Sequence, residues 1–295
     1  MKKIFIELIF LLLNTLSIIL KKLFKKHNFL QHIHDKIEKK NYYTILTNEK
    51  KIHFFCPSVK TLERVDTFFT KEPETLLWID RFKNVNRNII FWDIGSNIGL
   101  YSLYAANKIN DIEVISFEPS TSNLRVLTRN ISINSFSNKI KIFPIALNDE
   151  ENILSYFEEL NFGEGRSRSN FNNNVDQHGK LIDQGKIKNR YQLFGTTIDN
   201  LLENKILRIP NYIKIDVDGI EYKILKGANK LFKNTELKEV LVELTPEHKT
   251  QYNQIIKFFN DNGFEDITKT DDIFAYHRDR TLKSSGIVNA IFKRV

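Results

Sequence analysis

A chain of 295 residues, 41% hydrophobic and with Cys56 as its single cysteine, has enough apolar material for one large domain or two small ones. It has no means of forming an internal disulfide or a cysteine-based zinc site. The net charge of +8 is uneven, because residues 1–30 hold six lysines and one glutamate, which leaves only about +3 on the rest. No basic, aromatic-rich strip marks the body, so no nucleic-acid partner is expected. The basic excess flanks an apolar segment and points instead to a membrane surface.

That segment is "MKKIFIELIFLLLNTLSIILKKLFKK", with lysines on both sides of an apolar run from Ile4 to Leu20. As a helix the run measures about 25 Å, a little short of a hydrocarbon core of about 30 Å. The small-residue cleavage site of a secretory signal does not follow it. At the helical repeat Lys3, Glu7, Asn14, Ser17, Lys21 and Lys25 fall within a wedge of roughly 80°, which also suits a helix lying in the interface. Residues 1–26 are therefore expected to be a membrane-associated anchor helix, spanning or interfacial, with a soluble packed helix as the alternative. If it spans, four lysines after it against two before it place the body of the chain in the cytoplasm.

Residues 27–87 follow as a cap region. "YYTILTNEKKIHFFC" reads as a hairpin turning at Asn48-Glu49-Lys50, and "TLERVDTFFTKEPETLLWIDRF" as helix broken near Pro73. No chemistry is visible in this region, and packing is its expected role.

From Asn88 to the end the periodicity alternates. "NIIFWDIG", "EVISFEP", "IKIFPIAL", "NYIKIDVDG" and "EVLVELTP" read as buried strands. "LYSLYAANKI", "TSNLRVLTRNISIN", "TTIDNLL", "EYKILKGANKLF" and "QYNQIIKFFNDNG" read as helices between and after them. "FEDITKTD" and "DIFAYHRD" are expected to close the sheet as a terminal pair. This is the pattern of a doubly wound, mostly parallel α/β sheet over residues 88–295, interrupted by a polar insert at 151–195. Such folds bind ligands at the carboxyl edge of the strands.

The loop leaving the first strand, "DIGSNIG", has the form D-x-G-x-N-x-G rather than either glycine-rich phosphate pattern. Gly95 permits a tight turn and close ligand approach, and Gly99 lets the next helix start against the strand. An acid at the strand end, Asp93, repels a pyrophosphate and suits a cationic amino group. Glu118 ends the second strand, where a carboxylate can accept both hydroxyls of a ribose. A nucleoside joined to an amino acid fits both ends, and that ligand is S-adenosyl-L-methionine.

At these residues the chain resembles the FkbM family of S-adenosylmethionine-dependent methyltransferases. The blocks are "WDIGSNIGLYSLYAA", "VISFEPSTSNLRVLTRNISIN", "IFPIALND", "TTIDNLL" with "YIKIDVDGIEYKILKGA", and "VLVELTPEH", together covering about Ile89 to Glu247. In one departure, Asp218 stands where the family usually has Glu. The resemblance implies a class I methyltransferase (Rossmann-like) fold and methyl transfer to a hydroxyl on a glycan, lipid-linked sugar or natural product. It implies that Asp93, Gly95, Ser96, Asn97 and Gly99 carry the amino acid end of the cofactor and Glu118 the ribose. Asn148 or Asp149 would meet the adenine.

Transfer to a hydroxyl needs a base for the departing proton. "KIDVDGIEY" places Asp216, Asp218 and Glu221 within six residues, and crowded carboxylates raise one another's pKa. Capping of the next helix is the competing role for Asp218 and Glu221. A divalent ion on these oxygens is a lesser alternative, and no metal is assigned. His248 is a further candidate base. In the insert, Arg166 and Arg168 can grip a phosphate or carboxylated sugar. A Rossmann oxidoreductase, which the missing G-x-G-x-x-G counts against, and a non-catalytic cofactor-binding scaffold are the competing readings.

Overall fold

The computed structural model describes residues 2–24, 29–47, 50–83 and 88–295, in two compact units, 1–43 and 44–295. The first unit holds helices α1 (Lys2–Phe24) and α2 (Phe29–Glu38). Lys3–Phe24 is the one helix among the described residues long and apolar enough to cross a membrane, with a mean hydropathy of 2.1 and no buried residues. Lys25 and Lys26 of the expected basic flank lie outside the described residues, as do Asn48 and Glu49 of the expected hairpin turn. Strands β1 (Tyr42–Thr47) and β2 (Lys50–Phe55) form a two-stranded sheet on either side of that turn.

In the second unit, α3 (Val59–Asp66) starts at a capping box in which Ser58 and Thr61 satisfy each other's backbone amides. Pro73 opens α4 (Pro73–Asp80), in the first turn, where the amide hydrogen has no acceptor within the helix. The alternation expected from the sequence follows: β3 (Ile89–Ile94), α5 (Leu100–Lys108), β4 (Ile112–Phe117), α6 (Thr121–Ile133), β5 (Ile140–Phe143), β6 (Ala146–Leu147), β7 (Ile153–Glu159), β8 (Ser169–Phe171) and β9 (Asn189–Thr196). It continues with α7 (Ile198–Glu203), β10 (Tyr212–Ile215), α8 (Glu221–Lys226), β11 (Glu239–Leu244), α9 (Lys249–Asp261), β12 (Phe264–Asp266), α10 (Asp272–Ser285) and β13 (Val288–Arg294).

The main sheet has the order β12-β13-β11-β10-β3-β4-β5. β11, β10, β3, β4 and β5 run parallel, and β13 is antiparallel to both β11 and β12. The central strands β3 and β10 are buried along their whole length because both faces of the sheet are covered there. On β3, Ile89 and Phe91 join one core with Leu103, Val126 and the β2 residues Ile52 and Phe54. Ile90, Trp92 and Ile94 join the opposite core with Ile224, Leu225 and Phe259. The cap segment from β2 to α4 thus belongs to the main core rather than sitting beside it.

Three sequence expectations are corrected. "DIFAYHRD" is not a strand but the start of α10, whose Phe274 is buried; the strand that pairs with β12 is Val288–Arg294. "IKIFPIAL" is not one strand: Pro144, which has no amide to donate, separates β5 from β6, and β6 joins a second sheet. The polar insert does not merely interrupt the alternation, since β7, β8 and β9 complete that second sheet, in the order β6-β9-β7-β8.

Gly95 has φ +84°, and a Cβ there would lie 2.0 Å from the carbonyl oxygen of Asp216 on the neighbouring strand's loop. Gly95→Ala is expected to destabilise the fold by about 2 kcal/mol or more, from the left-handed backbone and the clash together. Urea unfolding of the variant checks this, and an unchanged midpoint would contradict the close approach.

Candidate active site

Strand order reverses between β3 and β10, so their loops diverge and open a crevice at the carboxyl edge. A cavity of about 280 Å³ lies there. Gly95, Asn97 and Glu118 line one wall, Asp216, Asp218 and Glu243 the other, and Ile145 to Leu147 with Phe157 and Phe171 an apolar end.

The first wall is a rigid backbone turn. The amides of Gly95 and Ser96 both donate to the Phe117 carbonyl at 3.0 Å. Asn97 adopts φ +52°, and its amide donates to Glu118 Oε2 at 2.7 Å while the Ser120 amide donates to Oε1 at 2.8 Å. Glu118 is 5% exposed, and burial pushes its carboxyl up to about 7 despite those amides. Asp93 lies just behind the wall. Its Oδ2 accepts from Ser102 Oγ at 2.6 Å and its Oδ1 is buried with no hydrogen-bond partner. Burial raises the Asp93 pKa, and Lys214 works against that rise. Gly99 caps α5 at φ +87° against Leu127, one turn from the cavity. Asn148 and Asp149 do not reach the lining: Asn148 is fully buried under the Asp149 amide, and Asp149 pairs with Lys226 at 2.6 Å.

The second wall brings together Asp216 and Asp218 but turns Glu221 away. Glu221 accepts from the Gly219 amide and from Gln251 on α9, and burial pushes its carboxyl up to about 8. His248 lies at the start of α9 with its ring against Gly179. Sequence reasoning missed the groups around Asp216. Lys214, 1% exposed on β10, places its Nζ 2.5 Å from Asp216 Oδ2 and 3.8 Å from Glu72 Oε2. Glu72 precedes α4, in the segment read as packing alone. Burial opposes its charge, but Lys71 and Lys214 hold its carboxyl down to about 2. One oxygen each of Glu72, Asp216 and Glu243 lies within 4.8 Å of the others, and Lys214 brings the positive charge to this group. Burial, and then the charge of Asp216, raises the Glu243 pKa well above the usual carboxylate range. A lysine inside the apolar strand "YIKI" was the available signal, because a buried ammonium must find carboxylates.

The insert closes the cavity from above. Asp218 Oδ2 accepts from the amides of Arg168 at 2.6 Å and Ser169 at 2.9 Å. The carbonyl of Arg166 accepts from Asn97 and Asn123 side chains at 2.8 and 3.2 Å. The carbonyl of Gly165 accepts from Arg64 Nε at 2.5 Å. Residues 165–169 are thereby a strap fastened to both walls and to α3.

Glu221 stays protonated in the fold up to about pH 8, whereas an unfolded glutamate ionises near 4.3. Between those values the folded chain binds the extra proton, so stability falls as pH rises through that window. Glu221→Gln, neutral at every pH, is expected to flatten this loss by a few kcal/mol at most. Urea unfolding at pH 5, 6.5 and 8 measures it, and an equal slope in both proteins would contradict the buried carboxyl.

The profile of the methyltransferase FkbM domain matches residues 93–265, more than half of the chain and both walls of the cleft. Methyltransferase sdnD of Sordaria araneosa is 28% identical over 210 residues, covering 63% of this chain and 77% of that protein. Hexuronic acid methyltransferase AglP of Haloferax volcanii is 26% identical over 155 residues, so the chain spans about half of that relative's length, 55%. Among solved structures, the FkbM methyltransferase of Methylobacillus flagellatus KT is similar at 15% identity and a TM-score of 0.40, over 72% of this chain and 45% of that one. The match across the loop 93–99, Glu118 and the block 212–221 makes this chain a member of the FkbM methyltransferase family, and its enzyme class that of a methyltransferase.

Proposed function

We propose that the protein transfers a methyl group from S-adenosyl-L-methionine to a hydroxyl of a sugar, on a glycan or a lipid-linked carrier. The observation that carries this reading is a single cleft with a glycine turn and Glu118 on one wall and a cluster of carboxylates on the other. The residues present fit the cofactor. Gly95 leaves its backbone open, Asp93 keeps a buried oxygen unpartnered at the amino acid end, and the carboxylate of Glu118 has lone pairs left for ribose hydroxyls beyond the two amides it accepts. Ile145, Leu147, Phe157 and Phe171 offer an apolar slot for adenine. The name of AglP supports a sugar acceptor.

When bound, the cofactor supplies a methyl on cationic sulfur, so the donor needs no activation. The acceptor hydroxyl must lose its proton as the new bond forms, and Asp216 is assigned to take it. Lys214 holds Asp216 in place, and Glu243 stands beside it as a second carboxyl facing the cavity. Asp218 is assigned to hold the strap, and Glu221 to support the loop between them. The strap excludes water from the cleft once it is seated. Asp216→Asn is expected to keep S-adenosylmethionine binding by calorimetry and to lose about 10²–10⁴-fold in turnover. Normal turnover of that variant would move the base to Glu243.

Residues 1–26 are read as the anchor, 27–87 as the cap and 88–295 as the catalytic domain, facing the cytoplasm. The exposed apolar helix α1 supports membrane attachment. Deleting residues 2–26 should move the enzyme from the membrane pellet to the soluble fraction with its melting temperature unchanged. Full-length protein that is soluble without detergent would refute the anchor. Retention after a carbonate wash distinguishes a span from a surface helix.

A further inference from the structure

We infer that the acceptor is an anionic sugar, bearing a carboxylate or a phosphate that Arg166 and Arg168 hold at the mouth of the cleft; this rests on the cleft being the cofactor and acceptor site proposed above. Arg64, Arg166 and Arg168 all line the cavity. Among the described residues none of the three has a carboxylate within ion-pair distance, whereas Arg81, Arg125, Arg190 and Arg208 each do. None of the acids of the cleft pairs with Arg166 or Arg168: Asp216 is held by Lys214 and Asp218 by the strap amides, and Glu118 faces the ribose site; Lys71 is already paired with Glu72 at 2.9 Å. Arg166 and Arg168 are therefore guanidinium groups of the cleft lining without an acidic partner, and the guanidinium is the side chain best shaped for two-point contact with carboxylate or phosphate.

The cofactor accounts for one of the three. Its methionine end carries a carboxylate, and Arg64 lies with Gly95 and Asn97 along the cavity that continues behind the first loop. Arg166 and Arg168 remain, and the fold holds their backbone firmly. The Arg166 carbonyl is pinned by Asn97 and Asn123. Arg168 is held at φ +69°, a conformation that side-chain-bearing residues rarely adopt, with its amide locked on Asp218. Two arginines are thus fixed by their main chains over a cavity, with the side chains left to a ligand.

The test loads the full-length protein in detergent with S-adenosylhomocysteine and titrates glucuronate, glucose 1-phosphate and methyl glucoside by calorimetry. The expected result is binding of one or both charged sugars at least about tenfold tighter than the neutral one, with that preference lost in Arg166→Gln and in Arg168→Gln. The two charged probes separate a carboxylate from a phosphate acceptor. Arg168→Gly removes the charge while relieving the left-handed backbone, so it should lose the preference without loss of melting temperature. Equal binding of the neutral sugar, no binding of either anion, or an unchanged preference in all three variants overturns the inference. Failure of S-adenosylhomocysteine itself to bind overturns the cofactor reading instead.

Discussion

The ammonium of Lys214, buried on the central strand β10, lies 2.5 Å from Asp216 and 3.8 Å from Glu72, with the Tyr101 ring 4.8 Å away. Taking such a charge out of water costs several kcal/mol, which only carboxylates in fixed positions offset. One of those carboxylates comes from the sheet edge and the other from the segment before α4. The cap therefore cannot be loosely attached: unless Glu72 is docked, the buried Lys214 ammonium loses one of its two carboxylate contacts. The same docking is reinforced by Trp78 Nε1 donating to Glu239 at 2.8 Å and Asn289 donating to Glu74 at 2.7 Å. Asp93 feels the same ammonium from behind the first loop. One cation thus sets the position of both walls of the cleft and of the cap that backs them.

Against this rigid base the strap is held by hydrogen bonds rather than by apolar burial. Arg166 and Arg168 are exposed, and 165–169 are held by side chains of Asn97, Asn123, Arg64 and Asp218 and by the Leu160 amide, which donates to the Arg168 carbonyl at 3.0 Å. Such contacts exchange for water at small net cost, near 1 kcal/mol each when neutral. The flanking strands β7 and β8, with Phe157 and Phe171 buried, carry the apolar packing that the strap lacks.

The parallel sheet was legible because its central strands are covered on both faces and so read as largely apolar runs, broken by single charged residues such as Asp93 and Lys214. The first loop was legible because glycine spacing reports backbone conformation directly, and both Gly95 and Gly99 have positive φ. What escaped were features decided by partners far along the chain. "DIFAYHRD" has one buried aromatic and too few residues for its period to show, so α10 was misread. Glu72 looks like a solvated acid until Lys214, 142 positions later, is folded against it. β7 exposes Leu154 and Tyr156 and β9 exposes Phe194, so no apolar-in, polar-out alternation marks the strands of the insert, and their register comes from pairing between β7 and β9. Asn148 and Asp149 follow a strand that leaves the main sheet, so a position argued from that sheet did not bring them to the cavity.

The departure at Asp218 is explained by the strap. Its carboxylate reaches two consecutive strap amides, at 2.6 and 2.9 Å, across a loop where Gly219 already meets Gln177 closely: a Cβ on Gly219 would stand 2.9 Å from the Gln177 backbone. The insert and the loop after β10 are therefore packed main chain to main chain at Gln177 and Gly219. A glutamate would carry its carboxylate one methylene farther, into the space occupied by the amides it must contact, and the strap would have to ride higher over the cleft. A shorter acid at 218 and a strap seated low enough to aim two arginines into the cavity are two sides of one geometric constraint. Burial raises the Asp218 pKa, while the two amides stabilise its charged form. The fastening is thus strongest when the carboxylate is ionised, which ties closure of the cleft to the same proton balance that governs the carboxylates beneath it.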